Sequence, residues 1–344
     1  MSLATFHTLT VKQIIEEVKG VKIFRFHEHL PYQSGQYLTL VHPADHSIRR
    51  SYSITSAPVL EEDLSIGVKR MENGIFSRWL IDRVAVGDTI VTTGAAGFFT
   101  LPEDIEQYTQ IFFFAAGNGI TPIYSLLKTA VYRYLHLSVT LIYSNHSLQE
   151  SMFYTALTGL QSQFSDTLQI EFIFSSDKDI YRAHLHKDLL YSFLDRFAKH
   201  TWEETLFYIC GPENYMRMCT YALQEIRVPA NHIKKEDFSI RPPAVKAAPP
   251  DTEKHTVTIT LHDGAVPLAV QYPTTILQAA KKNNIPLPYS CETGRCGSCA
   301  LKCISGNVWM ANNEVLTDRE LQQGLVLTCV GYPVGGDVVL SPYG

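Results

Sequence analysis

Five of the seven cysteines lie between Cys291 and Cys329, and three of them stand as C-x4-C-x2-C in SCETGRCGSC. Cys329 follows in LVLTCVGYP after 29 intervening residues, so the chain must double back if all four thiols serve one centre. Cys291, Cys296, Cys299 and Cys329 reproduce the ligand pattern of a plant-type 2Fe-2S cluster. A structural zinc site is the alternative, but zinc sites usually pair two C-x2-C units and this loop has one. Gly294 and Gly297 fit positions where the backbone must approach closely or take φ > 0 and present N–H groups to sulfur. Cys303, in CALKC, competes with Cys329 for the fourth place; it falls in an expected strand leaving the loop, where a small buried thiol is the expectation. An odd number of cysteines crowded at one end suits a metal site better than a disulfide framework.

The rest of the chain has to carry this loop. At 344 residues it is long enough for two or three domains, each with its own core. A net charge of -5 with 18% charged residues argues against disorder and against a nucleic-acid-coating surface. The first twenty residues lack the basic-then-apolar order of a signal peptide, and IFFFAAG, from Ile111, is too short to cross a bilayer. A monomeric cytoplasmic protein, bound to neither nucleic acid nor membrane, is expected.

Up to about Leu101, runs such as VKIFRF, QYLTLV, RRSYSIT, DLSIGVK and DTIVTT, separated by Gly, Pro and Asp, read as the strands of a small antiparallel β-barrel or sandwich. From Gln110 to about Ile240, QIFFFAA, SVTLIYS, IEFIFSS and LFYICG alternate with amphipathic stretches beginning near Pro122, Gln149, Ala183 and Glu213. That alternation predicts a parallel α/β sheet with helices on both faces. RPPAVKAAPPD, from Arg241, reads as a semi-extended tether. Beyond it come a hairpin (HTVTITLHDGAVPLAVQYP), a short helix opened by a Thr cap (TTILQAAKKNN) and the cysteine loop, a small α+β unit. The expected division is 1–104, 105–240, a linker at 241–252, and 253–344.

Arg50-Ser51-Tyr52-Ser53 offers a guanidinium, a phenol and a hydroxyl on one strand: groups that suit a pyrophosphate, an isoalloxazine ring and its N5 edge. Read alone, the tetrad also fits an ordinary surface strand. Lys69 and NGIFSRWL follow, with Gly74 and Ser77 at an expected helix start, a natural phosphate seat. AAGNGITP places Gly117 and Gly119 in a strand-to-helix turn with Thr121 behind them and Pro122 near the first helical position. Because the full G-x-G-x-x-G fingerprint is absent, the turn alone supports an unspecified nucleotide site. Cys210-Gly211-Pro212 lies at a strand carboxyl edge, where open α/β sheets bind ligands. A buried structural thiol is the other reading of Cys210.

In this order the motifs resemble the ferredoxin–NADP reductase superfamily fused to a C-terminal plant-type ferredoxin, as in the reductase components of oxygenases. The resemblance spans essentially the whole chain. It implies an antiparallel FAD-binding β-barrel, an NAD(P)-binding α/β domain and a β-grasp-like ferredoxin. By position, Arg50, Tyr52 and Ser53 would hold the flavin, with Gly74 and Ser77 at its pyrophosphate. Gly117, Thr121 and Gly211 would hold the pyridine nucleotide, Cys210 would sit near the nicotinamide, and Phe238, in EDF, would cover a ring. Ser53, Thr121, Cys210 and Phe238 are the candidates for the reacting centre. The implied activity passes hydride from NADH or NADPH to FAD and single electrons to the cluster. The acceptor would be an oxygenase or hydroxylase, epoxidase-like or ring-hydroxylating, or another protein such as a hybrid-cluster protein. Asn145-His146 and Ser175-Ser176 stand where NADP-specific relatives often carry arginine, which favours NADH, with Lys178 and Arg182 as the cations left to meet a 2′-phosphate. A stand-alone flavin oxidoreductase acting on a small acceptor, and a non-enzymatic redox sensor, are the competing readings.

Overall fold

The computed structural model describes residues 6–238, 248–261 and 264–343. The tether read at Arg241 falls largely on 241–247, outside the described residues.

The first sheet is built from β1 (His7–Val18), β2 (Val21–Phe26), β3 (Tyr37–His42), β4 (Asp45–Ser53), β5 (Ser65–Lys69) and β6 (Thr89–Ala96). They pair antiparallel in the order β4-β3-β6-β1-β2-β5, and a bridge between Ile54 and Ile66 ties the two edges into a barrel. Strand alternation sends Leu38 and Leu40 from β3, Phe24 and Phe26 from β2, and Leu9 and Val11 from β1 into one core. The helix Ile75–Arg83 caps that core with Phe76, Leu80 and Ile81. The longest strand of the barrel, the 12-residue β1, lies outside the expected strand runs.

The second sheet, β7 (Gln110–Ala116), β8 (Ser138–Asn145), β9 (Leu168–Phe174), β10 (Thr205–Cys210) and β11 (Ile233–Glu236), is wholly parallel in the order β11-β10-β7-β8-β9. Because both faces are covered, β7 reads as an unbroken apolar run. Ile111 and Phe113 face one helical layer, which includes Ile120–Arg133; Phe112 and Phe114 face the other, with Lys187–Phe197 and Glu213–Glu225. The starts expected near Gln149 and Ala183 shift. Leu148–Glu150 is a single 3-10 turn and the helix begins at Tyr154, after Phe153 at φ 60. Ile180–Ala183 is one short turn, and the longer helix starts at Lys187 behind its His186 cap. The barrel packs on the helix Ile120–Arg133, where the Lys128 ammonium, 4% exposed, pairs with the Glu62 carboxylate.

The third sheet holds β12 (His255–Leu261), β13 (Gly264–Val270), β14 (Ala300–Met310), β15 (Leu325–Leu327) and β16 (Gly331–Pro342), in the order β13-β12-β16-β14-β15. The β12/β13 pair is the expected hairpin, and only β12 and β16 run parallel. The helix Ile276–Lys282 opens on a capping box in which Thr275 and Gln278 exchange hydrogen bonds. It buries Ile276, Leu277 and Ala280 on the sheet. The cysteine loop leaves this helix and enters β14, while Cys329 sits between β15 and β16.

Candidate functional site

Strand order alone locates a ligand crevice. The chain runs β7, β8, β9 in one direction across the second sheet and then returns to place β10 on the other side of β7, so the switch point lies between the carboxyl ends of β7 and β10. Ala115, Cys210 and Glu236 stand in register at that edge. Gly117–Gly119 form a 3-10 turn leading into the helix at Ile120, with Thr121 and Pro122 as its second and third residues, both buried. The Thr121 hydroxyl donates to the Asn118 carbonyl at 2.8 Å. Gly119 is irreplaceable on steric grounds, since a Cβ there would lie 1.9 Å from the Cys210 carbonyl oxygen. The Cys210 thiol is fully buried; burial raises its pKa and the nearby Glu236 and Asp237 charges raise it further. Gly211 packs on Ala116, and Pro212 is the cap of the helix Glu213–Glu225.

The barrel strand β4 splits its signature between two faces. Arg50 is exposed and donates to the Arg49 carbonyl, and Tyr52 is half-buried with its ring 5.9 Å from Phe76. Arg49 and Ser51 turn instead towards the third sheet's domain. Arg49, 9% exposed, lies 3.9 Å from the Tyr289 ring centroid, and its Nε and Nη1 have no hydrogen-bond partner. The Ser51 hydroxyl meets that of Ser290 at 2.8 Å. Gly74 caps the helix at Ile75, and the buried Ser77 hydroxyl accepts from the Met71 N–H at 3.1 Å. Lys69 ends β5 in the open.

A cleft of about 520 Å³ lies where the three domains meet, a size that suits a cofactor. Arg50, Ser53 and Tyr37 line it from the barrel, Glu236, Asp237 and Phe238 from the second domain, and Cys291, Arg295 and Cys296 from the third. Of the sequence candidates it therefore gathers Arg50, Ser53, Phe238, Cys291 and Cys296. Tyr52, Lys69, Gly74, Ser77, the Gly117–Pro122 turn, Cys210, Gly211, Pro212, Cys299 and Cys329 lie outside its lining. Sequence reasoning missed Tyr37, Glu236 and Arg295. Glu236 ends β11, a strand too short to carry a pattern, and its buried Oε2 has no hydrogen-bond partner in a wall otherwise suited to a polar ligand. Burial pushes its pKa up to about 8. Arg295 bridges Asp237 at 3.5 Å and Glu314 at 3.0 Å.

The four candidate thiols come together two by two. Cys291 interacts with Cys296, and Cys299 with Cys329; in each pair that interaction is the largest cause pulling one thiol down and pushing its partner up. Among the described residues no group of three or more His, Cys, Asp or Glu side chains converges as for one metal ion. Two pairs are the donor set a two-iron cluster takes, one pair to each iron. The Thr293 N–H points at the Cys291 sulfur, 3.4 Å away. Gly294 and Gly297 both have positive φ, as expected, but the close approach at Gly297 is to the barrel: a Cβ would stand 2.7 Å from the Phe98 ring. Cys303 lies in β14, yet its thiol is only half-buried and donates to the Ser305 and Gly306 carbonyls. The expectation of a buried thiol is thereby corrected: Cys303 is partly exposed and packs at the edge of the core, where β14 has an irregular register between Cys303 and Ser305.

Comparison with known proteins agrees with this arrangement. The oxidoreductase FAD-binding domain profile matches residues 8–101, the oxidoreductase NAD-binding domain profile 113–220, and the 2Fe-2S iron-sulfur cluster binding domain profile 259–334. One of the subunits of 1,2-phenylacetyl-CoA epoxidase from Escherichia coli is 31% identical over 98% of both chains. The chain belongs to the ferredoxin–NADP reductase superfamily, with a fused C-terminal 2Fe-2S domain. This reductase is also 28% identical to the ferredoxin reductase component of 3-ketosteroid-9-alpha-monooxygenase from Rhodococcus rhodochrous, over 95% of this chain and 94% of that one. Among solved structures, phthalate dioxygenase reductase shares its fold along 98% of both chains (TM-score 0.61, 23% identity). The reductase also matches 41% of an intact type IV self-sufficient cytochrome P450 monooxygenase, at TM-score 0.73 and 21% identity. It is an NAD(P)H-dependent flavoprotein iron–sulfur oxidoreductase with FAD and 2Fe-2S domains. No helix among the described residues is long and apolar enough to cross a membrane.

Proposed function

We propose that this reductase supplies an oxygenase-type partner with electrons drawn preferentially from NADH. The observation that carries the reading is one cleft walled by the Arg50–Ser53 strand, the Glu236–Phe238 segment of the second domain and the Cys291/Cys296 pair, which joins flavin and cluster candidates. FAD bound there supplies the exchange between a two-electron hydride donor and a one-electron cluster. The chain's own residues orient and enclose. Arg50 offers its guanidinium to the pyrophosphate and Ser53 its hydroxyl to the ring edge, with Tyr52 beside them and Gly74 and Ser77 at the phosphates. The Gly117–Gly119 turn brings backbone N–H groups to the nicotinamide nucleotide at a helix N-terminus, while Thr121, held by Asn118, and Cys210–Gly211 set its position. Phe238, 46% exposed on the cleft rim, can cover a ring. Cys291, Cys296, Cys299 and Cys329 hold the cluster. No side-chain acid or base is required for hydride transfer.

The preference for NADH rests on the carboxyl ends of β8 and β9. His146 Nδ1 and the Ser175 hydroxyl, 3.0 Å apart, occupy the ground where a 2′-phosphate would need a guanidinium, and Arg182 is drawn to Glu171 at 3.6 Å. The proposed working form is a cytoplasmic monomer divided at 1–104, 105–240 and 253–344; seven unpaired cysteines suit a reducing compartment. Oxygenase reductase components among the relatives support the partner class. Steady-state reduction of cytochrome c tests the reading: about two cytochromes reduced per NADH, with kcat/KM at least about tenfold lower for NADPH, is expected. NADH consumption that goes to oxygen at the same rate without the acceptor would favour a stand-alone oxidase.

A further inference from the structure

Tyr37 reaches from the barrel into the loop that carries the cysteines. It begins β3, is 3% exposed, and lines the cleft with Arg50 and Ser53. Its hydroxyl donates to the Cys296 carbonyl and lies 2.9 Å from the Ser298 hydroxyl. Ser298 in turn stands 3.4 Å from the Cys296 sulfur. Once that sulfur is a metal-bound thiolate it has no proton to give, so the hydroxyl of Ser298 is the donor in the Ser298–Cys296 contact. With the Ser298 proton directed at sulfur, its oxygen can only accept, so the single Tyr37 hydroxyl proton is shared between the Cys296 carbonyl and the Ser298 oxygen, and one residue of the flavin-binding barrel polarises both. Thr39 and Ser51, next along the same seam, continue it to Ser298 and Ser290.

Hydrogen-bond donors near cluster sulfur stabilise the reduced form, which carries one more negative charge than the oxidised form. The positive end of the Tyr37 O–H dipole points into the loop, so it favours the electron's arrival there. We propose that Tyr37 is a positioning residue that, through Ser298, raises the electron affinity of the cluster while the barrel is docked on the loop. The step concerned moves one electron from the bound flavin to the cluster, with no bond made or broken. The inference rests on the flavin-to-cluster reading above.

The test is an anaerobic redox titration of the full-length protein, loaded with FAD and cluster, in which the reduced cluster is followed by electron paramagnetic resonance. Loading and NADH reduction of the wild type are established first, so failure of the reductase reading shows before any variant is compared. Tyr37→Phe is expected to shift the cluster equilibrium about tenfold towards the oxidised form, about 59 mV for a one-electron couple, and to change its g values. Ser298→Ala is expected to give a similar shift, and the double variant no more than the larger single effect. Should Tyr37→Phe not retain its cluster, Ser298→Ala carries the same test with the Tyr37–Cys296 contact kept. An unchanged equilibrium and spectrum in either fully loaded variant, or additive shifts in the double variant, would overturn the proposal.

Discussion

At the scale of single residues, the thiols and the buried carboxylate carry the clearest consequences. Cys329 pairs with Cys299, whereas Cys303 is half-exposed and bonded to its own bulge. Cys329→Ser is expected to lose iron and acid-labile sulfide, and Cys303→Ser to keep both; the reverse would refute the ligand assignment. Glu236 titrates in the folded chain near 8, above its ordinary 4.5. The folded state therefore holds the proton more tightly, and a destabilising contribution grows as pH rises from 4.5 through about 8. Glu236→Gln should exceed the wild type in Tm by a margin that widens between about pH 5 and about pH 9; a constant margin would contradict this. The pairing of the four candidate cysteines was legible because a shared metal centre constrains both residue type and interval. Tyr37 and Arg49 were not, since a strand tyrosine or arginine gives no sign that it will meet a loop more than two hundred residues later.

At the scale of elements, period and punctuation found most of the strands. The apolar runs of β7, β8 and β10 declare a doubly covered sheet, and Thr275 declares its helix through the capping box. What failed was local. The helix expected from Gln149 starts at Tyr154 because Phe153 takes a left-handed conformation that lets its ring stack on Tyr124, 4.2 Å away. The four-residue β11 has meaning only through its pairing with β10, which brings Glu236 beside Cys210. The turn between β7 and its helix gives the sharpest test at this scale. Gly119→Ala would drive a methyl into the Cys210 carbonyl, neither of which is on a flexible side chain. A loss of about 1–3 kcal/mol in urea unfolding, together with weakened NADH binding, is expected. Wild-type NADH affinity in this variant would remove the turn from the nucleotide site.

At the scale of the whole molecule, the sequence announces three units and their order but not their meeting place. The docking depends on contacts distant in the chain: Tyr37 with Cys296 and Ser298, Ser51 with Ser290, Arg295 with Asp237, and Phe98 against Gly297. These seat the cysteine loop against the barrel, so that one cleft borders all three domains. Electron transfer along that path requires the flavin and the cluster to be reduced by the same donor in the same chain. The decisive measurement is the anaerobic visible spectrum of the loaded protein during titration with NADH. The flavin band and the broad iron–sulfur absorption are expected to fall together. A flavin that bleaches while the iron–sulfur band persists, or a protein that remains colourless after reconstitution with FAD, iron and sulfide, would contradict it.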